Sequence, residues 1–116
     1  MGNAINRKCF GMETKYFLLN RKLEWITLDV DFDINTAIST VVKLYRTSQN
    51  APIGSLLNKP DDMPTTGEML IIWVPYDTNP LIMWGTQIIC GRNVNRTYAY
   101  IRSKSHDGFT PWQTII

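Results

Sequence analysis

From Gly67 to Ile116 the chain alternates apolar runs with clusters of turn-forming residues. Glu68-Met-Leu-Ile-Ile-Trp-Val-Pro75 is continuous, rich in β-branched and aromatic side chains, and strand-sized. Leu81 to Cys90 is a second such run, Asn95 to Ser103 alternates cleanly, and Phe109 to Ile116 closes the chain. The separators are Tyr76–Pro80, Gly91–Asn95 and Lys104–Gly108, so the pattern predicts four consecutive strands in an antiparallel meander. Upstream, Thr14–Leu19 and Lys22–Val30 read as a first hairpin around Asn20-Arg21, and Val41–Arg46 as a further strand. Asp33–Ser39 reads as one short helical turn capped by Asp33 or Asn35, whose short side chains accept from the first free amides.

Thr47–Thr66 is a long irregular stretch dense in Asn, Pro, Asp and Gly. Loops of that length in a small domain usually carry function or move. Ile53, Leu56, Leu57 and Met63 inside it predict that it folds back onto the sheet. The fold class expected is therefore mainly β: a small antiparallel meander with one long irregular loop and at most one short helix.

Alternation also divides faces. On the Asn95–Ser103 strand, Arg96, Tyr98, Tyr100 and Arg102 share one side, and Thr97, Ala99, Ile101 and Ser103 the other. The small-and-aliphatic side is the expected core side. The Arg/Tyr side is expected to be half-wet or a subunit contact. Trp73 and Trp112 are expected in the core.

The 116 residues suit one domain, and a hydrophobic content of 44% supports a packed core. Met1–Gly11 is polar and reads as an arm. The division expected is an arm and hairpin over residues 1–28, as an attachment segment, followed by a β domain over 29–116. A net charge of +2 without any basic block argues against nucleic acid. The first 15 residues show no signal peptide, and no apolar run reaches membrane-spanning length.

Candidate chemistry is sparse. Cys9, Cys90 and His106 are the only thiols and the only imidazole, too few and too scattered for zinc. Asp29, Asp31 and Asp33 recur at every second residue, but a calcium loop counted from Asp29 has Ile34 and Thr40 where it needs Gly and Glu. They read instead as a solvent-facing strand end with Val30 and Phe32 inward. Ser105-His106-Asp107 are sequence neighbours, which a strand or loop points apart, so they read as a turn and not a triad. No phosphate loop and no pair of positioned carboxylates is evident. Neither an enzyme nor a cofactor or metal protein is expected.

What remains is polar and aromatic surface: Tyr76, Asp77, Asn79 and Trp84 on one loop, and Arg92, Asn93, Asn95 and His106 on two others. Aromatics beside Asn, Asp and Arg suit sugar or protein recognition. We take Tyr76, Asp77, Asn79, Trp84, Arg92, Asn93 and His106 as the candidate binding residues. In a meander the first and third turns share one end, so Tyr76 and His106 should be neighbours, with Arg92 and Asn93 opposite.

Arg96-Thr-Tyr-x-Tyr-Ile-Arg-Ser103, a polar loop, then Phe109-Thr-Pro-Trp112-Gln and a terminal aliphatic pair resembles the end of the pyocin-knob-like domains of bacteriophage tail fibres. Asp33-Ile-Asn-Thr36 is similar to their Asp-Leu-Asn-Thr entry, and Asn50-Ala-Pro52 and Gln87-Ile match further pieces in order. The chain departs at Phe109, where the family often has Trp, and at Ser39-Thr40, where it often has Gly. The resemblance implies a virion structural protein (tail fibre, head fibre or baseplate component) with other virion proteins as partners. A host surface glycan is a further implied partner, and a homotrimer the implied state. A stand-alone carbohydrate-binding module is the second reading, and a small enzyme or inhibitor the third.

Overall fold

The computed structural model of the chain describes residues 24–48 and 52–116. The arm over Met1–Gly11, the Thr14–Leu19 strand, the Asn20-Arg21 turn and Asn50-Ala51 lie outside the described residues. The fold is mainly β. Its strands are β1 (Trp25–Thr27), β2 (Lys43–Arg46), β3 (Glu68–Pro75), β4 (Gly85–Arg92), β5 (Thr97–Ser105), β6 (Gly108–Phe109) and β7 (Gln113–Thr114). They form one sheet in sequential order from β1 to β6, with β7 also on β5.

The meander forms as its hydrophobic pattern predicts. β3 and β4 pair antiparallel from Glu68↔Arg92 to Pro75↔Gly85, and β4 pairs with β5 from Gly85↔Lys104 to Arg92↔Thr97. Boundaries differ where turn chemistry intrudes. The second strand starts at Gly85, because Asp77 and Asn79 fold the preceding residues into a loop through side-chain bonds to backbone amides. The last strand is broken into β6 and β7 by Thr110-Pro111-Trp112. Pro111 has no N–H to give a ladder, and the Thr110 hydroxyl takes the Ser103 amide instead, at 2.9 Å.

β1 joins the sheet parallel to β2, so Trp25–Thr27 belong to it with residues 43–114. A parallel pair needs a crossover, and residues 28–42 supply one over a single face of the sheet. It contains the expected turn, a 3-10 turn at Ile34–Thr36, with Asp33 Oδ1 accepting from the Asn35 amide at 2.9 Å. A second 3-10 turn, Ile53–Ser55, lies in the long loop. The two segments pair through their backbones: Leu57 N donates to Phe32 O at 2.9 Å and Ile34 N to Leu57 O at 3.1 Å. Ile53, Leu56 and Met63 are buried as expected, whereas Leu57 spends its backbone on this pairing and leaves its side chain exposed.

The face assignment of β5 is reversed. Tyr98, Tyr100 and Arg102 are the buried set, at 0, 1 and 7% exposure. Register explains it. Tyr45, Ile71, Ile89 and Tyr100 stand in one cross-strand row, and Trp73, Gln87 and Arg102 in the next. The crossover and the long loop cover these rows and form one core with them. Long aromatic side chains fill that thick layer, while Ile101 and Ser103 face away from it and stay half-buried. Arg96 stays exposed and donates to the Tyr100 hydroxyl at 2.9 Å. Ala99 is buried because the C-terminus returns to it: Ala99 N donates to Ile116 O at 3.0 Å and Ile115 N to Ala99 O at 2.8 Å.

Asp29 to Asp33 is not a strand end. It turns at Asp31, which has a positive φ of 61°, so the three carboxylates do not share a face. Val30 is exposed, while Phe32 packs against Tyr45 at 5.6 Å between ring centres. Trp73 is fully buried and donates to Ser39 O at 2.7 Å. Its ring needs the bare backbone of Gly85, where a Cβ would sit 2.5 Å from it.

Candidate functional site

Gln87 sits fully buried in the middle of β4, and a buried amide needs partners for both ends. The crossover supplies them. Gln87 Nε2 donates to Ile34 O at 2.8 Å, which also takes the Ala37 amide that closes the 3-10 turn, and to Ala37 O at 2.9 Å, just past the turn. Gln87 Oε1 accepts from Arg102 Nε at 2.9 Å, and Arg102 Nη2 donates to Asn35 Oδ1 at 2.7 Å. The guanidinium lies between two rings, Phe109 at 3.7 Å and Trp112 at 4.1 Å. Burial pulls the Arg102 pKa down to about 10 and nearby Asp33 opposes the shift, so the cation persists at neutral pH.

Trp112 is half-buried and packs against the edge of the core cluster. It covers Arg102 on β5 and donates to Asn58 O at 3.2 Å, while Asn58 Nδ2 donates to Asp33 Oδ1 at 2.7 Å. Asp33, Asn35, Gln87, Arg102 and Trp112, spread over 80 residues of chain, thus form one connected network.

Above it lies a shallow groove of about 340 Å³ between the long loop and the C-terminal segment. Pro60, Pro111 and Trp112 give it an apolar wall, and Asp61, Asp62, Thr114 and the Tyr100 hydroxyl give it polar groups. Burial, and then the bond to Asp62, raise the Tyr100 pKa. Lys59, also at this groove, turns its ammonium to Leu56 O at 3.1 Å and Gly54 O at 3.4 Å. The groove is therefore rich in acceptors beside an aromatic ring, which suits a hydroxylated ligand.

A second groove, of about 580 Å³, lies on the opposite face of the sheet. Arg46, Leu70 and Cys90 line it, with the Glu68–Arg92 ion pair at its rim. Burial pushes the Cys90 thiol up, which makes it a poor nucleophile. Among the described residues no three His, Cys, Asp or Glu side chains converge on one point, and no helix is long and apolar enough to cross a membrane.

The candidate binding residues divide between two ends of the sheet. Pro75↔Gly85↔Lys104 puts the Tyr76–Trp84 loop beside the β5–β6 hairpin, whose two-residue tip is His106-Asp107. Glu68↔Arg92↔Thr97 puts Arg92 and Asn93 at the other end. Several of the seven side chains are engaged locally. Asp77 Oδ1 takes the Asn79 amide at 2.7 Å and Asn79 Oδ1 the Leu81 amide at 2.9 Å. Asn93 Oδ1 takes the amides of Asn95 and Arg96 at 2.8 and 2.9 Å. Arg92 pairs with Glu68 at 3.1 Å, both exposed, a contact of little energetic weight. The Tyr76 hydroxyl bonds Thr86 Oγ1, yet Tyr76 and Trp84 remain 64 and 43% exposed.

Sequence reasoning missed Asp61, Asp62 and Thr114 at the groove, and the joining of Asn35, Gln87 and Arg102. The signal for the latter was a lone amide inside the apolar β4 run and, on β5, a cation at the end of an aromatic face. Comparison with known proteins returns no match to any family model, curated protein or solved structure.

Proposed function

We propose that the chain is a virion structural protein of a bacteriophage, built on a knob-like β domain and working by attachment to neighbouring virion proteins and to the host surface. The observation that carries the reading is the convergence of its separate pieces. Asp33-Ile-Asn-Thr36, Gln87, the Arg102 strand and the Phe109–Trp112 segment, which carry the resemblance to pyocin-knob-like domains, meet in one hydrogen-bonded and stacked network. Of Asn50-Ala-Pro52, only Pro52 is described, and it precedes the second 3-10 turn.

On this reading the network is scaffold and the exposed loops make the contacts. The Tyr76–Trp84 loop presents Tyr76, Leu81 and Trp84 to solvent, an apolar content that suits a protein partner. The assembly is homo-oligomeric, with a trimer as the expected state. Mass spectrometry of purified particles, from the phage whose genome encodes the chain, tests the reading. Stoichiometric presence in washed particles is expected; presence only in the lysate supernatant overturns it.

The groove at Trp112 favours a second reading, a stand-alone carbohydrate-binding module. An aromatic wall beside Asp61, Asp62 and Thr114 is the composition that sugar rings use, C–H groups on the ring and hydroxyls on the acceptors. Quenching of tryptophan fluorescence by neutral hexoses and N-acetylhexosamines, abolished in Asp61→Asn with Asp62→Asn, would favour it over the first.

A further inference from the structure

The crossover and the long loop cover one face of the sheet, and among the described residues no element covers the other. Its central row is Trp25, Leu44, Ile72, Ile88 and Ile101, one residue from each of β1 to β5. On one side of that row lie Thr27, Arg46, Leu70, Cys90 and Ala99, and on the other Val74, Thr86 and Ser103. Arg46 is the only charge in these three rows. Leu44, Leu70, Ile72, Ile88 and Ile101 all stay partly exposed and take no part in the core cluster.

We propose that this open face is where the chain binds a second copy of itself as a two-fold pair, an inference that rests on the homo-oligomer part of the reading above, names its surface and puts a dimer in place of the trimer. Three arguments favour a copy of the chain as the occupant. The first is size: two rows of five strands and one of three span roughly 24 Å across the strands and 20 Å along them, so two apposed faces bury on the order of 1,000 Å², the lower bound for a specific interface. The second is charge: rows with one cation between them meet their own copy without like charges in the centre, and Glu68 and Arg92 at the rim neutralise each other at 3.1 Å. The third is shape. A self-complementary interface needs a projection and a recess on the same surface. Trp25 projects at the β1 edge, 41% exposed, and the groove of about 580 Å³ floored by Leu70 and Cys90 is the recess.

Light scattering of the full chain tests this against a protomer mass of 13.4 kDa. The wild type is expected to exceed the protomer mass at micromolar concentration. Ile72→Lys with Ile88→Lys is expected to fall to it, with an unchanged circular dichroism spectrum. Because that variant risks misfolding, the alkylation rate of Cys90 in the wild type gives an independent reading, followed by peptide mass spectrometry. It is expected to fall on the order of tenfold as the protein is concentrated through its association range, by mass action. A wild type that is monomeric at every concentration overturns both the homo-oligomer reading and this surface. An oligomer that survives the double substitution, or whose Cys90 reacts at a rate independent of concentration, overturns the surface alone. Particle mass spectrometry is indifferent to all of these outcomes, so failure of the virion reading would be seen separately.

Discussion

Replacing Gln87 by Met keeps the length of the side chain and removes every hydrogen bond it makes. Two groups then lose their only partner, the Ala37 carbonyl and the Arg102 Nε–H, while the Ile34 carbonyl keeps just the Ala37 amide at 3.0 Å. Both lie in the layer between sheet and crossover, where Gln87 itself has no exposure. Each buried group left unsatisfied costs about 1–3 kcal/mol, more where a charge is involved. Allowing for partial relaxation, Gln87→Met should destabilise the domain by about 3–5 kcal/mol, against a total of about 5–15 kcal/mol for a typical domain. At about 4–8 °C per kcal/mol the melting temperature should fall by at least about 12 °C. Urea titration followed by tryptophan fluorescence gives the number directly. Arg102→Met in the same background removes the orphaned cation, so the double variant should cost at least about 1 kcal/mol less than the two singles together. A Gln87→Met loss below about 1 kcal/mol, or strict additivity with Arg102→Met, would refute the claim that these residues act as one network.

Other perturbations separate neighbouring parts of the core. Tyr98 is fully buried and its hydroxyl has no partner among the described residues, so Tyr98→Phe should leave stability unchanged or raise it by about 1–2 kcal/mol in the same titration. Burial first, then Tyr100, push the Tyr98 pKa from 10.0 up to about 12, so between those values the unfolded chain has lost a proton that the folded one keeps. Wild-type stability should therefore be lost as pH rises from about 10 to about 12, and Tyr98→Phe should flatten part of that decline in a pH series of melting temperatures. Trp112→Ala removes a half-buried ring, its stacking on Arg102 and its bond to Asn58, and should cost about 2–3 kcal/mol, less than the 3–5 kcal/mol of a fully buried Trp. Gly85→Ala places a methyl 2.5 Å from the Trp73 ring and should cost about 1–3 kcal/mol, visible as altered near-ultraviolet circular dichroism.

The apolar runs made the strands legible in outline: β3 is found at the residues the pattern assigns to it, whereas Leu81–Trp84, equally apolar, precede β4 in a loop. Burial of Ile53, Leu56 and Met63 was legible for the same reason: three large apolar residues in a polar loop need shelter. The facing of β5 was not. Alternation fixes which residues share a side but not which side the rest of the chain covers, and Tyr98, Tyr100 and Arg102 look amphipathic until their partners are known. Those partners come from afar. Arg102 is satisfied by Asn35, 67 residues away, and Gln87 by carbonyls 50 and 53 residues away. The parallel seating of β1 was hidden likewise, because Trp25–Thr27 is three residues long and takes its place only against β2. Of the candidate site residues, the division between the two ends follows from the meander alone. The use of Asp77, Asn79 and Asn93 as internal loop ties depends on backbone geometry that composition does not encode.

The divided C-terminal segment gives the sheet two unlike borders. On the β5 side, β6, the Thr110 hydroxyl, β7 and the terminal backbone occupy the ladder positions from Ala99 to Ser105, with Pro111 offering no donor in between. On the other side, β1 presents its outer edge over three residues, and among the described residues no strand pairs there. A strand edge is a template for another chain, so among the described residues the borders differ in kind: three continuous residues at β1, and two-residue pieces on either side of Pro111 at β6 and β7. Two copies joined edge to edge through β1 would each turn that broken border outward, where a further strand finds no continuous ladder to extend. The Pro111 interruption that shortens the last strand thus also makes that border a poor template for fibre growth.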